Sequence, residues 1–391
     1  MIATGPADPP GQRCAADSDT AVPDLPPAGA LRLSDVLGAC VAALDPELPG
    51  AREAARERLC IEAGGQVLVI LTDGLGWVPL EARLGHAPVL RSHQGSTSVI
   101  HTVAPSTTAA AITSFATGRL PGATRMVGYS VWGPEGPMNL LAFAEGVDPL
   151  GWQPCDTTFE TLARAGVASA VVSPSAFAGS GLTRAALRGA RHVGASGWDQ
   201  RIRAALRELR SGTPLVYLYW SDIDHVGHHH GVGSQEWTAA LEEFDAGLRT
   251  LLAGVGRGVR VVLTADHGMV DTSPGQLLDL AERADLDEGV AGIAGEARCV
   301  HVHAREGQGA QVIARWREVL DGQAWIWGPE EMAEVIGEGP GAAVVGDALV
   351  FMRGHRGVVD SRVQSAGSIA QVGVHGSLTS DEMLIPVVRL A

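Results

Sequence analysis

Three aspartates and three histidines in this chain have the types and spacings of a metal site. Asp73 heads Asp73-Gly74 directly after an apolar run, Asp224 and His228 are four residues apart, Asp266-His267 precedes Gly268, and His375 lies between Gly373 and Gly376. An i, i+4 pair brings both side chains to one side of a helical turn. Gly268 permits a sharp bend that would let the adjacent Asp266 and His267 reach one ion. Mixed carboxylate and imidazole donors suit Zn²⁺, with Mn²⁺ as the alternative. Six protein ligands are too many for one catalytic zinc and match two ions with open positions. The neighbouring His225, His229 and His230 read as solvated or supporting groups, and His86, His93 and His101 as ordinary loop or surface residues. Asp222 reads equally as a turn carboxylate or as the group that orients a histidine ligand. A second source of chemistry is Ser106-Thr107-Thr108, which opens the small-residue stretch Ala109-Ala110-Ala111. These hydroxyls serve as caps of a helix N-terminus. The same N-terminus offers free N–H groups and the positive end of the helix dipole to a phosphoryl group. A hydroxyl held there by a metal becomes a nucleophile at neutral pH.

These residues need elements to position them. Four short, nearly continuous apolar runs, Val67–Leu71, Ala168–Val172, Pro214–Tyr219 and Val259–Thr264, have the pattern of strands covered on both faces. Helical patterning lies at 107–117, 157–165, 199–210 and 235–253, and begins at Leu31 with Ser34 as the expected N-cap. Alternating strand and helix predicts an α/β fold, a largely parallel central sheet sandwiched by helices. Ligands bind beyond the carboxyl ends of such strands, which is where Asp73, Asp222/Asp224 and Asp266-His267 fall. Residues 275–370 break the alternation and are expected to form a small α+β cap insertion, with Arg298–His303 and Ala348–Met352 as strands and Gln311–Leu320 as a helix. Leu384–Leu390 is expected as a final strand. Residues 1–30, rich in Pro, Ala, Asp and Gly, are expected as a flexible tail, which leaves 31–391 as the catalytic domain.

Composition narrows the function classes. The 391 residues are 46% hydrophobic and 19% charged, which excludes a mainly disordered chain. A net charge of −15 argues against a nucleic-acid scaffold or an anionic membrane surface as partner. A phosphate-bearing small molecule stays compatible, because bound cations invert the local field. Five dispersed cysteines without a C-x-x-C motif predict neither a disulfide framework nor a thiolate zinc site. With no basic-then-apolar leader and no apolar run of membrane-spanning length, the expectation is a reduced, cytoplasmic protein.

The ordered set Asp73-Gly74, Ser-Thr-Thr108 with Thr117-Gly118, Asp224-x-x-Gly227-His228, Asp266-His267-Gly268-Met269 and His375-Gly376 resembles the alkaline phosphatase superfamily. The branch it resembles is the nucleotide pyrophosphatase/phosphodiesterase (type I phosphodiesterase) family, over about residues 65–391. The resemblance implies an alkaline-phosphatase-like enzyme with two Zn²⁺ per chain and a threonine nucleophile. It implies one metal on Asp224, His228 and His375 and the other on Asp73, Asp266 and His267, with Thr108 as nucleophile and added ligand. Thr107 is the alternative nucleophile one register away. The implied reaction is cleavage of a phosphodiester or pyrophosphate, nucleotide-type, through a phospho-threonine intermediate. Phosphomonoester or phosphonate hydrolysis on the same metals, or a degenerate metal-binding module, are the alternatives. The family's Pro-Asn-His after the nucleophile reads Ala110-Ala111-Ile112 here, and its His-Gly-Ile/Val-x-Gly-Asn stretch reads Thr124–Tyr129. The phosphoryl contact of the missing Asn is therefore expected from N–H groups near Thr108, the metals or Tyr129. Tyr129 and Thr107 are the expected substrate contacts, and Trp132 is expected to pack.

Overall fold

The computed structural model describes residues 22–133 and 135–391. The chain builds β1 (Gln66–Thr72), β2 (Thr97–His101), β3 (Ser169–Ser173), β4 (Arg191–Gly194), β5 (Leu215–Trp220) and β6 (Val259–Ala265). It then forms a second sheet from β7 (Val290–Glu296), β8 (Cys299–Ala304), β9 (Ala324–Trp327) and β10 (Ala348–Met352), and returns to the first as β11 (Leu384–Arg389). The central sheet runs β2-β11-β6-β1-β5-β3-β4. Only β11 is antiparallel to its neighbours. This is an α/β fold with a largely parallel sheet, as the alternation of elements predicts.

The central strands carry no polar face. In β1 every residue from Val67 to Thr72 is buried, and all of β5 is buried. Helices α1 (Leu33–Leu44), α2 (Thr108–Thr117), α3 (Trp198–Arg210) and α5 (Gln235–Gly254), with the shorter α4 (Asp222–His230) between the last two, flank the sheet and contribute to its core. Each fully buried Val, Leu or Ile contributes about 1.5–3 kcal/mol, so this core fixes the strand ends rigidly.

The second sheet falls within the stretch expected as a cap. It is antiparallel, in the order β7-β8-β10-β9. Side chains alternate along it. Val300, Val302, Ala348, Val350 and Met352 pack on one side with α6 (Gly309–Val319), while Cys299, Leu349 and Phe351 pack on the other with Met126, Val127, Val131 and Met138. A hairpin of Ser130–Gly133 and Gly136–Asn139 thus joins the cap to the main body. Trp132 packs on His303 in the cap, with ring centroids 4.9 Å apart.

Three local expectations change. Helix α1 starts at Leu33, and the Asp35 carboxylate, not Ser34, accepts the Arg32 N–H at 2.9 Å. Residues 22–30 of the expected tail are held: the Asp24 N–H donates to Leu378 O at 2.8 Å, and its carboxylate lies 3.0 Å from His101 Nε2. His101 is therefore an engaged residue of β2 rather than a free surface histidine. Residues 1–21 of that tail lie outside the described residues. Cys40, Cys60, Cys155 and Cys299 are free, and Cys14 is outside the described residues. Among the described residues no helix is long and apolar enough to cross a membrane.

One buried ion pair ties the cap to the loop that carries His375. Arg298 and Glu382 are both fully buried and meet at 2.7 Å and 3.1 Å. Glu382 also accepts from Thr379 Oγ1 at 2.6 Å and Ser377 N–H at 3.0 Å. Removing one partner of such a pair strands a buried charge. Arg298→Met is therefore predicted to lower unfolding free energy by about 3–5 kcal/mol in denaturant titrations, and a loss below about 1 kcal/mol would contradict this role.

Candidate metal centre

All six predicted ligands converge at the carboxyl edge of the central sheet. Asp73 directly follows β1 and Asp266-His267 directly follow β6, while Asp224 and His228 lie on α4, which follows β5. His375 arrives on the loop between the cap and β11. The ligand atoms fall into two sets, Asp224/His228/His375 and Asp73/Asp266/His267, each within 4.8 Å of one another. His228 Nε2 lies 3.2 Å from Asp224 Oδ2, and His375 Nε2 lies 3.8 Å from Asp224 Oδ1. His267 Nε2 lies 3.3 Å from Asp73 Oδ1 and 3.6 Å from Asp266 Oδ2. The two sets abut: the His267 and His375 rings stack at 3.7 Å with an 18° interplanar angle.

Each histidine is oriented by a backbone carbonyl. Nδ1 of His228 faces Gly373 O at 2.8 Å, Nδ1 of His267 faces Gly268 O at 3.0 Å, and Nδ1 of His375 faces Ser106 O at 3.0 Å. A carbonyl only accepts, so Nδ1 carries the proton and Nε2 turns its lone pair to the site. Asp222 takes none of these roles. It is exposed at the start of α4, so of its two readings the turn carboxylate holds and the orienting is left to the carbonyls. Gly268 also acts differently from expectation. Its φ is not left-handed, and the absence of a side chain instead admits Asp381 O, which would lie 1.9 Å from a Cβ.

The carboxylates carry the strain of this arrangement. Burial, then Asp266, then Asp224 push the Asp73 carboxyl well above its ordinary value. Burial also raises Asp266, outweighing the attraction of His267. Burial acts in the same sense on Asp224, but His228, His375 and His267 outweigh it and hold that carboxylate below its ordinary value. Burial, then the neighbouring His267, drive His375 well below the usual imidazole value. Hydrogen bonds assign one oxygen of two carboxylates: Asp73 Oδ2 accepts from Tyr219 OH, and Asp266 Oδ1 accepts from the N–H groups of Gly74 and His267 at 3.1 Å and 3.0 Å. Asp266 Oδ2 and Asp224 Oδ1 are buried without a hydrogen-bond partner. There is thus one orphaned anionic oxygen in each set, beside two imidazole lone pairs or one. That donor chemistry fits a divalent cation in each set.

The hydroxyl residues separate by role. Thr108 Oγ1 lies 3.2 Å from His267 Nε2 and 3.5 Å from Asp73 Oδ1. Ser106 Oγ donates to Ser377 O at 2.7 Å and accepts from Gly376 N–H at 3.2 Å, so it locks the His375 loop. Thr107 is the N-cap of α2 but makes no side-chain capping bond, which leaves the first N–H groups of that helix without a side-chain acceptor. A cavity of ≈ 530 Å³ opens over Thr108 and Asp73, with Tyr129, Leu141, Phe177 and Leu182 in its wall. Thr107 lines it too, as do the exposed Asp222 and His225, whereas exposed His229 and His230 do not. Tyr129 is 42% exposed there, and its N–H donates to Glu296 Oε2 at 2.6 Å, so that N–H is not offered to a ligand. Sequence reasoning missed Tyr219, Ser106 and Glu296. Tyr219 reads as a plain strand residue, Ser106 as a cap, and Glu296 sits in a Gly-Glu-Ala stretch with no motif. Burial pushes the Glu296 carboxyl up to about 8.

Comparison with known proteins agrees with this geometry. The profile of the type I phosphodiesterase/nucleotide pyrophosphatase family matches residues 67–339. Human ectonucleotide pyrophosphatase/phosphodiesterase family member 5 is 29% identical over 97 residues, 23% of this chain and 20% of that protein. Phosphopentomutase of Shewanella sediminis is 35% identical over 88 residues, 22% of this chain and 21% of that one. The chain thus matches about a fifth of the length of these curated relatives. Murine ectonucleotide pyrophosphatase/phosphodiesterase 5 shares the fold with a TM-score of 0.65 at 16% identity, covering 83% of this chain and 87% of that one. Phosphonoacetate hydrolase from Sinorhizobium meliloti 1021, in complex with phosphonoacetate, does so with a TM-score of 0.67 at 18% identity, covering 83% and 89%. With the profile spanning most of the chain over the same strand ends that carry the ligands, this protein belongs to the type I phosphodiesterase/nucleotide pyrophosphatase family.

Proposed function

We propose that this chain hydrolyses a phosphodiester or pyrophosphate bond of a small, nucleotide-type molecule by way of a phospho-threonine at Thr108. The observation that carries this reading is the Thr108 hydroxyl, 3.2 Å from His267 Nε2 and 3.5 Å from Asp73 Oδ1, at the floor of the ≈ 530 Å³ cavity. Two divalent cations, zinc or manganese by the donor set, would be held by Asp73, Asp266, His267 and Thr108 and by Asp224, His228 and His375, and supply Lewis acidity that activates the hydroxyl and offsets phosphoryl charge.

The chain's own groups do the rest. Asp73 is held by the Tyr219 hydroxyl so that its other oxygen stays beside Thr108. The first N–H groups of α2 take the phosphoryl oxygens that the family's missing Asn would otherwise hold. Thr108 attacks phosphorus in line, and the leaving oxygen departs on the opposite side. Water then cleaves the phospho-threonine and restores the hydroxyl. Leu141, Phe177 and Leu182 give the organic group an apolar wall, and Tyr129 offers a ring for stacking.

Diester chemistry is favoured over monoester or phosphonoacetate chemistry by charge. The chain contains no lysine, and among the described residues no arginine lines the cavity. A monoester dianion, or a phosphonate bearing a carboxylate, would lack a cationic side chain for its second charge.

Thr108→Ala is predicted to lower kcat at least about 10³-fold while leaving metal content, read by elemental analysis, unchanged. Retention of most activity would overturn the nucleophile assignment. With metal-loaded wild type, an aryl phosphodiester is expected to exceed the matching aryl monoester in kcat/KM by about 10-fold or more, and a preference for the monoester would contradict the charge argument. Chelation is expected to lower thermal stability, because a ligand present at about 1,000 times its Kd contributes about 4 kcal/mol to the folded state. An unchanged Tm after chelation would count against metal binding at these sets.

A further inference from the structure

The metal centre opens on two unlike cavities. The larger one lies over Thr108 and is walled by Leu141, Phe177, Leu182 and Leu187. A smaller one of ≈ 120 Å³ adjoins it at His228 and His375, between β7 and the segment before His375. Its lining is mixed: Glu296 from β7 and Gln364, Ser368 and Gln371 from the segment before His375 are polar, and Val359 and Val374 are apolar. Tyr129, His228 and His375 border both.

Glu296 is placed there by specific contacts. Its Oε2 accepts the Tyr129 N–H at 2.6 Å, while its Oε1 is buried with no hydrogen-bond partner. It reaches this position across Gly376, at φ +130°, where a Cβ would lie 2.6 Å from Glu296 Cγ and 2.7 Å from Oε1. Glycine next to His375 therefore makes room for the glutamate. Gln364 adds a donor, since its Oε1 already accepts the Asp360 N–H at 2.8 Å and its amide NH₂ is what remains. A buried polar oxygen left unpaired is costly, and a ligand hydroxyl satisfies it by donating or accepting.

The direction of the reaction assigns the two cavities. Nucleophile and leaving group stand on opposite sides of phosphorus. Thr108 borders the larger cavity, whereas His228 and His375 of the facing set border the smaller one as well, which assigns the departing alcohol to the smaller cavity. We propose that the smaller cavity is the leaving-group subsite and that Glu296, with its unpartnered oxygen, is its specificity-determining residue. The substrate class is then a diester that joins a bulky apolar or aromatic group, retained on phosphorus, to a short hydroxyl-bearing alcohol. This rests on the phosphodiesterase reading above. In the step, the Thr108 Oγ–P bond forms as the P–O bond to the short alcohol breaks, and that alcohol leaves with a proton. Water then releases the monoester of the bulky group and returns a proton to Thr108.

The test compares phenyl glyceryl phosphate with phenyl propyl phosphate, using zinc-loaded protein and ³¹P NMR of the phenyl phosphate formed. Bis(4-nitrophenyl) phosphate serves as a general diester. The glyceryl diester is expected to win by about 10-fold or more in kcat/KM, mainly through KM, because sites built for a substrate hydroxyl discriminate against its absence. Glu296→Ala should reduce that preference to about 3-fold or less, and Glu296→Gln, which keeps a hydrogen-bonding group in place, should retain part of it. Turnover of the diesters without a glyceryl preference overturns the subsite alone. A preference that survives in Glu296→Ala overturns the role of Glu296. No turnover of any of the three diesters by protein with two metals bound overturns both the subsite and the phosphodiesterase reading.

Discussion

Three carboxylates, Asp73, Asp224 and Asp266, are brought together out of water at one edge of one sheet. Uncompensated, each buried charge costs several kcal/mol. Among the described residues no arginine joins the cluster, and the chain has no lysine; it supplies three imidazoles turned by backbone carbonyls so that their lone pairs face inward. Such a set repels itself and attracts divalent cations. The orphaned oxygens Asp224 Oδ1 and Asp266 Oδ2 are the local expression of that constraint.

The rest of the fold serves to hold that unfavourable gathering in place. Strands β1, β5 and β6 lie side by side with both faces buried, so their carboxyl ends cannot drift apart. Thr108 reaches the same edge from the start of α2, and Ser106 ties that start to the His375 loop. The Arg298–Glu382 pair then fixes the loop to the cap. One connected set of contacts therefore runs from Thr108 to the cap, and the cap in turn shapes the side of the site where Glu296 lies. The acidic net charge is compatible with an anionic substrate, because cations bound at the two sets would supply a local attraction rather than a long-range field.

The two Asp/His sets were readable in the sequence because strand ends and chemistry coincide there. Continuous apolar runs reveal buried parallel strands, and Asp73 and Asp266-His267 follow two of them without a gap. Sequence patterning fails where burial is partial. Edge strands Thr97–His101 and Arg191–Gly194 are short and mixed in polarity, and Val290–Glu296 is Gly- and Ala-rich, so none has a strand's apolar signature. The helix Asp222–His230 is dominated by Asp and His, which mask helical periodicity. The sequence left Asp222 open between turn carboxylate and orienting partner, because the orienting is done by backbone carbonyls that no side-chain pattern reveals. Tyr219, Ser106 and Glu296 act through contacts 146 to 271 residues away in sequence, so local reading could not find them.

The central claim is that two cations complete the two Asp/His sets. Anomalous X-ray diffraction at the zinc edge, on crystals of the protein loaded with zinc, tests it most directly. The account predicts two peaks per chain, one among Asp224, His228 and His375 and one among Asp73, Asp266 and His267 beside Thr108. A single shared peak, or none at these residues in zinc-loaded crystals, would contradict it.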